Sequence, residues 1–93
     1  MGVHMDDVTV SEILQIAICD DEKAILSLVE KKVKEVAKKY NKRIETRQFE
    51  NGKEFLKSSQ KYDIVFMDIE LENENGLEVL DIYRKKLIVY LLY

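Results

Sequence analysis

Short apolar runs that end on acidic residues alternate with helical segments along this chain. Leu14–Cys19 is apolar and partly β-branched, and acidic residues 20–22 follow it directly; residues 62–67 form a second such run, which stops at Asp68. A strand that is apolar on both faces is typical of the interior of a parallel sheet. Strands that alternate with helices predict an α/β domain with right-handed crossovers.

The remaining segments carry weaker or more ambiguous patterns. Apolar residues spaced three and four apart predict helices, and an alternating stretch predicts an edge strand. The predicted helices are 23–40, 53–59 and 77–86, and the predicted edge strand is 43–49. The tail, 87–93, is apolar and fits a fourth strand or a continued helix. We therefore expect three to four strands and three helices, with an acidic loop over 69–75.

Length and composition restrict the class of protein. The chain has 93 residues and a net charge of −3, which fits one small domain and does not favour nucleic-acid binding. The longest apolar run is too short to cross a bilayer, and one cysteine excludes a disulfide framework. We expect a cytoplasmic protein. Residues 1–13 are interpreted as a leader or tag remnant, and 14–93 as the domain.

Three carboxylates are expected at one corner of the predicted sheet. Asp20 and Asp21 follow the first apolar strand, and Asp68 follows the third strand. Ligands of open parallel sheets bind at the carboxyl ends of the strands, and clustered carboxylates favour a divalent cation such as Mg²⁺. An aspartate beside such a cation can attack phosphorus. The simpler alternative is that Asp20 or Asp21 caps the following helix.

The amino-acid sequence of these segments resembles that of the receiver domain of two-component response regulators, the CheY-like family. Residues 16–22 are similar to its acidic pocket, 62–71 to its phosphoacceptor strand and 75–79 to the start of the next helix. Residues 49–52 and 67–70 are similar to receivers that carry LytTR-type output domains. The resemblance implies a flavodoxin-like, doubly wound parallel sheet.

The resemblance also implies a role for each matching residue. Asp68 would accept a phosphoryl group from a histidine kinase, and Mg²⁺ would be held at Asp20, Asp21, Asp68 and the backbone carbonyl of Glu70. Asp20 would act through a water molecule. The chain would not be an enzyme beyond slow hydrolysis of its own phosphoaspartate. An aspartate-nucleophile phosphatase is disfavoured, because Glu70 stands where those enzymes carry a second aspartate.

The sequence departs from the family in two places. The family has a phosphate-binding Ser or Thr after its fourth strand and a phosphate-binding Lys after its fifth strand, and neither has a counterpart here. The chain is therefore interpreted as a C-terminally truncated receiver. The loop after Asp68 is unusually acidic. We expect a homodimer or higher oligomer formed through residues 87–93. The alternative function is a phosphorylation-incompetent module that acts only through such association.

Overall fold

The computed structural model describes residues 12–58 and 60–83, and the backbone of 89–92. Six strands and three helices are present in these ranges. The strands are β1 (Leu14–Cys19), β2 (Ile44–Phe49), β3 (Ile64–Met67), β4 (Glu70–Leu71), β5 (Glu74–Asn75) and β6 (Val89–Leu92); the helices are α1 (Lys23–Lys39), α2 (Gly52–Lys57) and α3 (Gly76–Tyr83). None of the helices described here is long and apolar enough to span a membrane.

Four of the strands form one parallel sheet in the order β2-β1-β3-β6. β1 lies in the interior, paired with β2 from Leu14↔Ile44 and with β3 from Ile16↔Ile64. The chain therefore moves one way from β1 to β2 and the other way from β2 to β3. Right-handed crossovers then place α1 on one face of the sheet and α2 and α3 on the opposite face.

The two faces of the sheet are buried to very different extents. On the face covered by α2 and α3, ten described residues form a buried core, which includes Ala17, Cys19, Val65 and Met67 and an aromatic group around Phe55. On the face covered by α1, the fully buried described residues are Ile16, Ile18 and Leu26. Alternation along the strands distributes side chains to both faces, but only one face is thickly covered.

The α/β class, the parallel sheet and the edge position of β2 are confirmed. The observed elements begin or end within two or so residues of the predicted ones, apart from the predicted helix 77–86, whose last three residues lie outside the described ranges. The tail contains a strand, β6, which pairs with β3 from Ile64↔Val89. Of the predicted oligomer segment, residues 87, 88 and 93 lie outside the described residues, as do 1–11 of the predicted leader.

The prediction of an acidic loop over 69–75 is wrong in detail. β4 and β5 form a two-stranded antiparallel hairpin, with Glu70 opposite Asn75 and Leu71 opposite Glu74. Asn73, at the turn, has a φ of 62°, in the left-handed region that asparagine tolerates. Leu71 is buried in the larger core, so the hairpin folds back against the domain instead of extending into solvent.

Candidate phosphoacceptor and metal site

Strand pairing brings the predicted carboxylates together. Cys19 and Met67, the last residues of β1 and β3, lie opposite each other in the parallel register. The next residues continue the pairing: the Asp68 amide donates to the Cys19 carbonyl at 3.0 Å, and the Asp20 amide donates to Phe49 at 3.1 Å. The two aspartates therefore leave the same end of adjacent strands.

Asp20, Asp21 and Asp68 form one carboxylate cluster. Each offers an oxygen, and these oxygens all lie within 4.8 Å of one another. Asp20 is only 3% exposed, Asp68 is half-buried and Asp21 is exposed, so the cluster runs from the sheet edge to the surface. The convergence that was expected from the strand order is thus present.

The helix-capping alternative does not describe these aspartates. The N-cap residue of α1 is Glu22, in an extended conformation, and its side chain makes no capping hydrogen bond. Asp20 instead accepts a hydrogen bond from the Glu22 amide at 2.9 Å. This bond tightens the turn between β1 and α1 and fixes one oxygen of the buried carboxylate.

The hairpin is hydrogen-bonded to the carboxylate cluster. The Glu70 amide donates to Asp68 Oδ1 at 3.0 Å, and the Glu72 amide donates to Asp21 Oδ2 at 3.0 Å. The predicted role of Glu70 concerns its backbone carbonyl, and that role stays a prediction. Two of the three carboxylates therefore position the chain that follows Asp68, in addition to any ligand that they bind.

Glu74 is a residue of this region that the sequence did not single out. Its half-buried carboxylate accepts a hydrogen bond from the Gly52 amide at 2.7 Å, which joins the hairpin to the start of α2. Glu74 was one acidic residue among several in an acidic loop. The available signal was Asn73, because an asparagine in a tight turn would have indicated a hairpin and placed Glu74 on its second strand.

The charges of the cluster change the acidity of the groups around it. Burial raises the pKa of Asp68, and the neighbouring Asp20 and Asp21 raise it further, against the opposing effect of the Glu70 amide. The pKa of the Cys19 thiol rises to about 12, first because it is buried and then because Glu74 and the three aspartates are close. The contributions of the neighbouring carboxylates to these two pKa shifts indicate a negative potential, which favours a cation.

The donor set fits a magnesium ion. Mg²⁺ prefers carboxylate and water oxygens at 2.0–2.1 Å, so that two opposite ligands are about 4.2 Å apart. The oxygens of the cluster lie within 4.8 Å of one another, which is close to this spacing. The exposed side at Asp21 leaves room for such waters.

Comparison with known proteins gives one family. The family model described as "Response regulator receiver domain" matches residues 16–89. No protein with a curated description shows significant sequence similarity to the chain.

Solved structures show the same fold. The response regulator TrrA of Thermotoga maritima, in complex with Mg²⁺-BeF, is 35% identical, with a TM-score of 0.68; the alignment covers 85% of this chain and 69% of TrrA. The BeF3-activated receiver domain of DrrB is 26% identical, with a TM-score of 0.64 and coverages of 87% and 67%. A CheY-like receiver from Methylobacillus flagellatus, at 17% identity, has a TM-score of 0.69 and coverages of 87% and 70%.

The coverage of the relatives differs with their length. This chain spans 36% of the longer DrrB structure, which is described as an OmpR/PhoB homologue from Thermotoga maritima. The family match extends over most of the chain and includes all three carboxylates of the cluster. The chain therefore belongs to the receiver domain family of two-component response regulators.

Proposed function

We propose that this chain accepts a phosphoryl group on Asp68 from a histidine kinase in a Mg²⁺-dependent reaction. The observation that carries the proposal is the convergence of Asp20, Asp21 and Asp68, whose oxygens lie within 4.8 Å of one another at the ends of adjacent strands. Two structures of one relative support it: TrrA was solved with Mg²⁺-BeF and, separately, in complex with the histidine kinase ThkA.

Asp68 has the geometry of a nucleophile. Its Oδ1 accepts the Glu70 amide, and among the described residues no hydrogen bond occupies Oδ2. Oδ2 would attack the phosphorus of the donor as the bond from phosphorus to the donor's leaving atom breaks, which leaves an aspartyl phosphate. The half-buried position of the carboxylate and the raised pKa of Asp68 both reflect incomplete solvation, which makes an anion more reactive.

The cation would be held by Asp21 and Asp68, with Asp20 acting through water and the Glu70 carbonyl completing the set. When bound, Mg²⁺ would neutralise charge on the oxygens of the phosphoryl group. Asp20 is fixed by the Glu22 amide, so it can act without rearrangement of the turn. The chain would have no enzymatic activity beyond slow hydrolysis of its own aspartyl phosphate, and it would act in the cytoplasm.

The test is covalent labelling by a small phosphodonor. The protein is incubated with acetyl phosphate and Mg²⁺, and the intact mass is measured. We expect the mass of one added phosphoryl group in the native chain, none in Asp68→Asn, and an unchanged adduct in Asp81→Asn. Asp81 lies exposed on α3 and serves as the matched control.

The outcomes separate the proposal from its alternative. An adduct that survives in Asp68→Asn would place the phosphoryl group elsewhere and contradict the assignment. No adduct in the native chain, in parallel with a labelled positive-control receiver, would favour the phosphorylation-incompetent module.

We also propose that copies of this chain associate through residues 87–93. β6 is an edge strand of the described sheet, paired on one side to β3. An edge strand presents unpaired backbone groups, which can pair with a second chain. Sedimentation velocity should show a dimer or larger species at micromolar concentration; a monomer throughout that range would contradict this proposal.

A further inference from the structure

The tripeptide Glu-Asn-Gly occurs twice in the chain, each time at the start of a helix. Residues 50–52 lead into α2, and residues 74–76 lead into α3. In both copies the asparagine is exposed and the glycine is buried. An asparagine followed by glycine is especially prone to lose its side-chain amide, because a residue without Cβ restricts the backbone least. The chain therefore holds one reactive sequence in two different surroundings.

The reaction uses the backbone nitrogen of the glycine as the nucleophile. After that nitrogen loses its proton, it attacks Cγ of the asparagine; the N–Cγ bond forms, the Cγ–Nδ2 bond breaks, and Nδ2 leaves as ammonia with the proton. Water then opens the five-membered succinimide ring at either carbonyl, which gives aspartate or isoaspartate. The rate depends on how easily the amide proton is removed and on how well the negative charge that develops on Oδ1 is stabilised.

The two glycine amides have different partners. The Gly52 amide donates to Glu74 Oε1 at 2.7 Å, whereas the Gly76 amide donates to the backbone carbonyl of Ile69 at 2.8 Å. A nitrogen anion at Gly52 would lie against a negative carboxylate, which opposes removal of the proton. At Gly76 the acceptor carries no net charge, so this obstacle is smaller.

The two asparagine oxygens also differ in their donors. Asn75 Oδ1 accepts the amides of Leu77 and Glu78, at 2.8 and 3.3 Å. Asn51 Oδ1 accepts the amide of Glu54, at 2.9 Å. Two backbone amides aimed at Oδ1 stabilise a developing oxyanion better than one does. Both differences therefore favour reaction at the second copy.

We propose that Asn75 is a site of spontaneous deamidation in the folded chain, and that the Glu74 carboxylate protects Asn51 from the same reaction. An aspartate at position 75 would keep an oxygen for the amides of α3. An isoaspartate would add a backbone atom next to Gly76, where a Cβ would already lie 2.1 Å from the Asp68 carbonyl oxygen. This modification goes beyond phosphoryl acceptance, since it needs neither a kinase nor a cation.

The test measures both reactions in one protein. The full chain is incubated at mildly alkaline pH, in buffer and in urea, and then digested; liquid chromatography with mass spectrometry quantifies asparagine, aspartate and isoaspartate at positions 51 and 75. In urea we expect similar rates, because the two tripeptides are identical. In buffer we expect Asn75 to react at least about fivefold faster than Asn51.

Two variants test the protection of Asn51. Glu74→Gln keeps an oxygen that can accept the Gly52 amide but removes the charge, so the rate at Asn51 should rise at least about fivefold. Glu72→Gln removes a charge from an exposed position of the same hairpin and should leave that rate unchanged. Each rate is divided by the rate of the same asparagine in urea, which corrects for the altered neighbour of Asn75. Circular dichroism checks that both variants are folded.

Four results would overturn the proposal. These are a rate at Asn51 that equals or exceeds the rate at Asn75 in the folded chain, no reaction at Asn75 in buffer while it goes to completion in urea, no rise at Asn51 in Glu74→Gln, and the same rise at Asn51 in Glu72→Gln. An equal rise at both asparagines in Glu74→Gln would also contradict the protective role, because it would show loosening of the hairpin. A difference that is present in buffer, absent in urea and narrowed by Glu74→Gln alone supports the proposal.

Discussion

At the scale of single residues, the carboxylate cluster combines structural and chemical roles. Asp20 and Asp21 accept hydrogen bonds from the Glu22 and Glu72 amides, and both lie close to Asp68. The adjacency of these aspartates was predictable, because it follows from strands that end on carboxylates and from the rule for parallel sheets. The backbone amides that donate to these aspartates were not predictable, because each bond depends on a backbone conformation that the sequence pattern does not indicate.

The pKa of the Cys19 thiol is raised in part by the same carboxylate cluster. Its thiol is fully buried, and its pKa rises from 9.0 to about 12. The unfolded thiol ionises first as the pH rises, so folding is opposed between these two values. We expect the free energy of unfolding to fall there by up to about 1.4 kcal/mol per pH unit from this residue alone.

The measurement is urea unfolding of the native chain and Cys19→Ala from pH 8 to pH 10.5, chosen to span the onset of this effect. Because Cys19→Ala removes a buried group, its free energy of unfolding is lower at every pH. The test is therefore the difference between the two proteins in how steeply the free energy of unfolding changes with pH. The native chain should lose stability more steeply above pH 9. Parallel pH profiles would show that the thiol is not shielded in this way.

At the scale of elements, the hairpin β4–β5 is the part that sequence reasoning described least well. Its position depends on Glu74 contacting Gly52 and on Glu72 contacting Asp21, partners far apart in the sequence. The long helix and the inner strands were predictable because their hydrophobic patterns are local. A two-residue strand has no such pattern, so its existence is decided by tertiary contacts.

Gly76, at the junction of β5 and α3, has no room for a side chain. A Cβ there would lie 2.1 Å from the Asp68 carbonyl oxygen, which is backbone and cannot move away cheaply. We expect Gly76→Ala to lower the free energy of unfolding by about 1–3 kcal/mol, as overpacking does. Urea denaturation monitored by circular dichroism measures the loss.

Gly52→Ala provides the matched control for that change. Its Cβ would meet Val79 Cγ2 at 2.6 Å and a Glu74 carboxylate oxygen at 2.9 Å, so the contacts are longer than at Gly76 and are made to side chains instead of backbone. The loss should therefore be smaller than in Gly76→Ala. An equal or larger loss at Gly52 would mean that the side chains around α2 are as rigid as the backbone behind Asp68.

At the scale of the whole molecule, the domain has one well-filled core and one thinly covered face. The class of fold was predictable from the alternation of strands and helices. The imbalance between the faces was not, since the sequence pattern of Ile64 and Phe66 is that of any buried strand. Exposure of those residues depends on how many helices reach their side of the sheet, which is a property of the whole topology.

Under the proposed function, magnesium should stabilise the folded domain as a unit, because its proposed ligands come from the segment after β1 and from the segment after β3. At a concentration one hundred times the dissociation constant, a ligand specific for the folded state adds about 2.7 kcal/mol to the free energy of unfolding. We expect MgCl₂ to raise the urea midpoint of the native chain relative to EDTA.

Asp21→Asn is the variant that tests the cause of that stabilisation. The amide oxygen can still accept the Glu72 amide, so the hairpin contact is retained while the negative charge is lost. The shift with MgCl₂ should shrink in Asp21→Asn and persist in Asp81→Asn. A shift of the same size in all three proteins would reflect general salt screening.

The interior position of β1 has a consequence for biosynthesis. β1 pairs with β2 and with β3, and β3 is translated only after α1, β2 and α2. Until residue 67 has left the ribosome, the side of β1 that pairs with β3 has no partner strand. Ala17 and Cys19 then lack much of the core that buries them. Such long-range pairing slows folding, so the nascent chain passes through an interval in which the apolar side chains of β1 are still exposed.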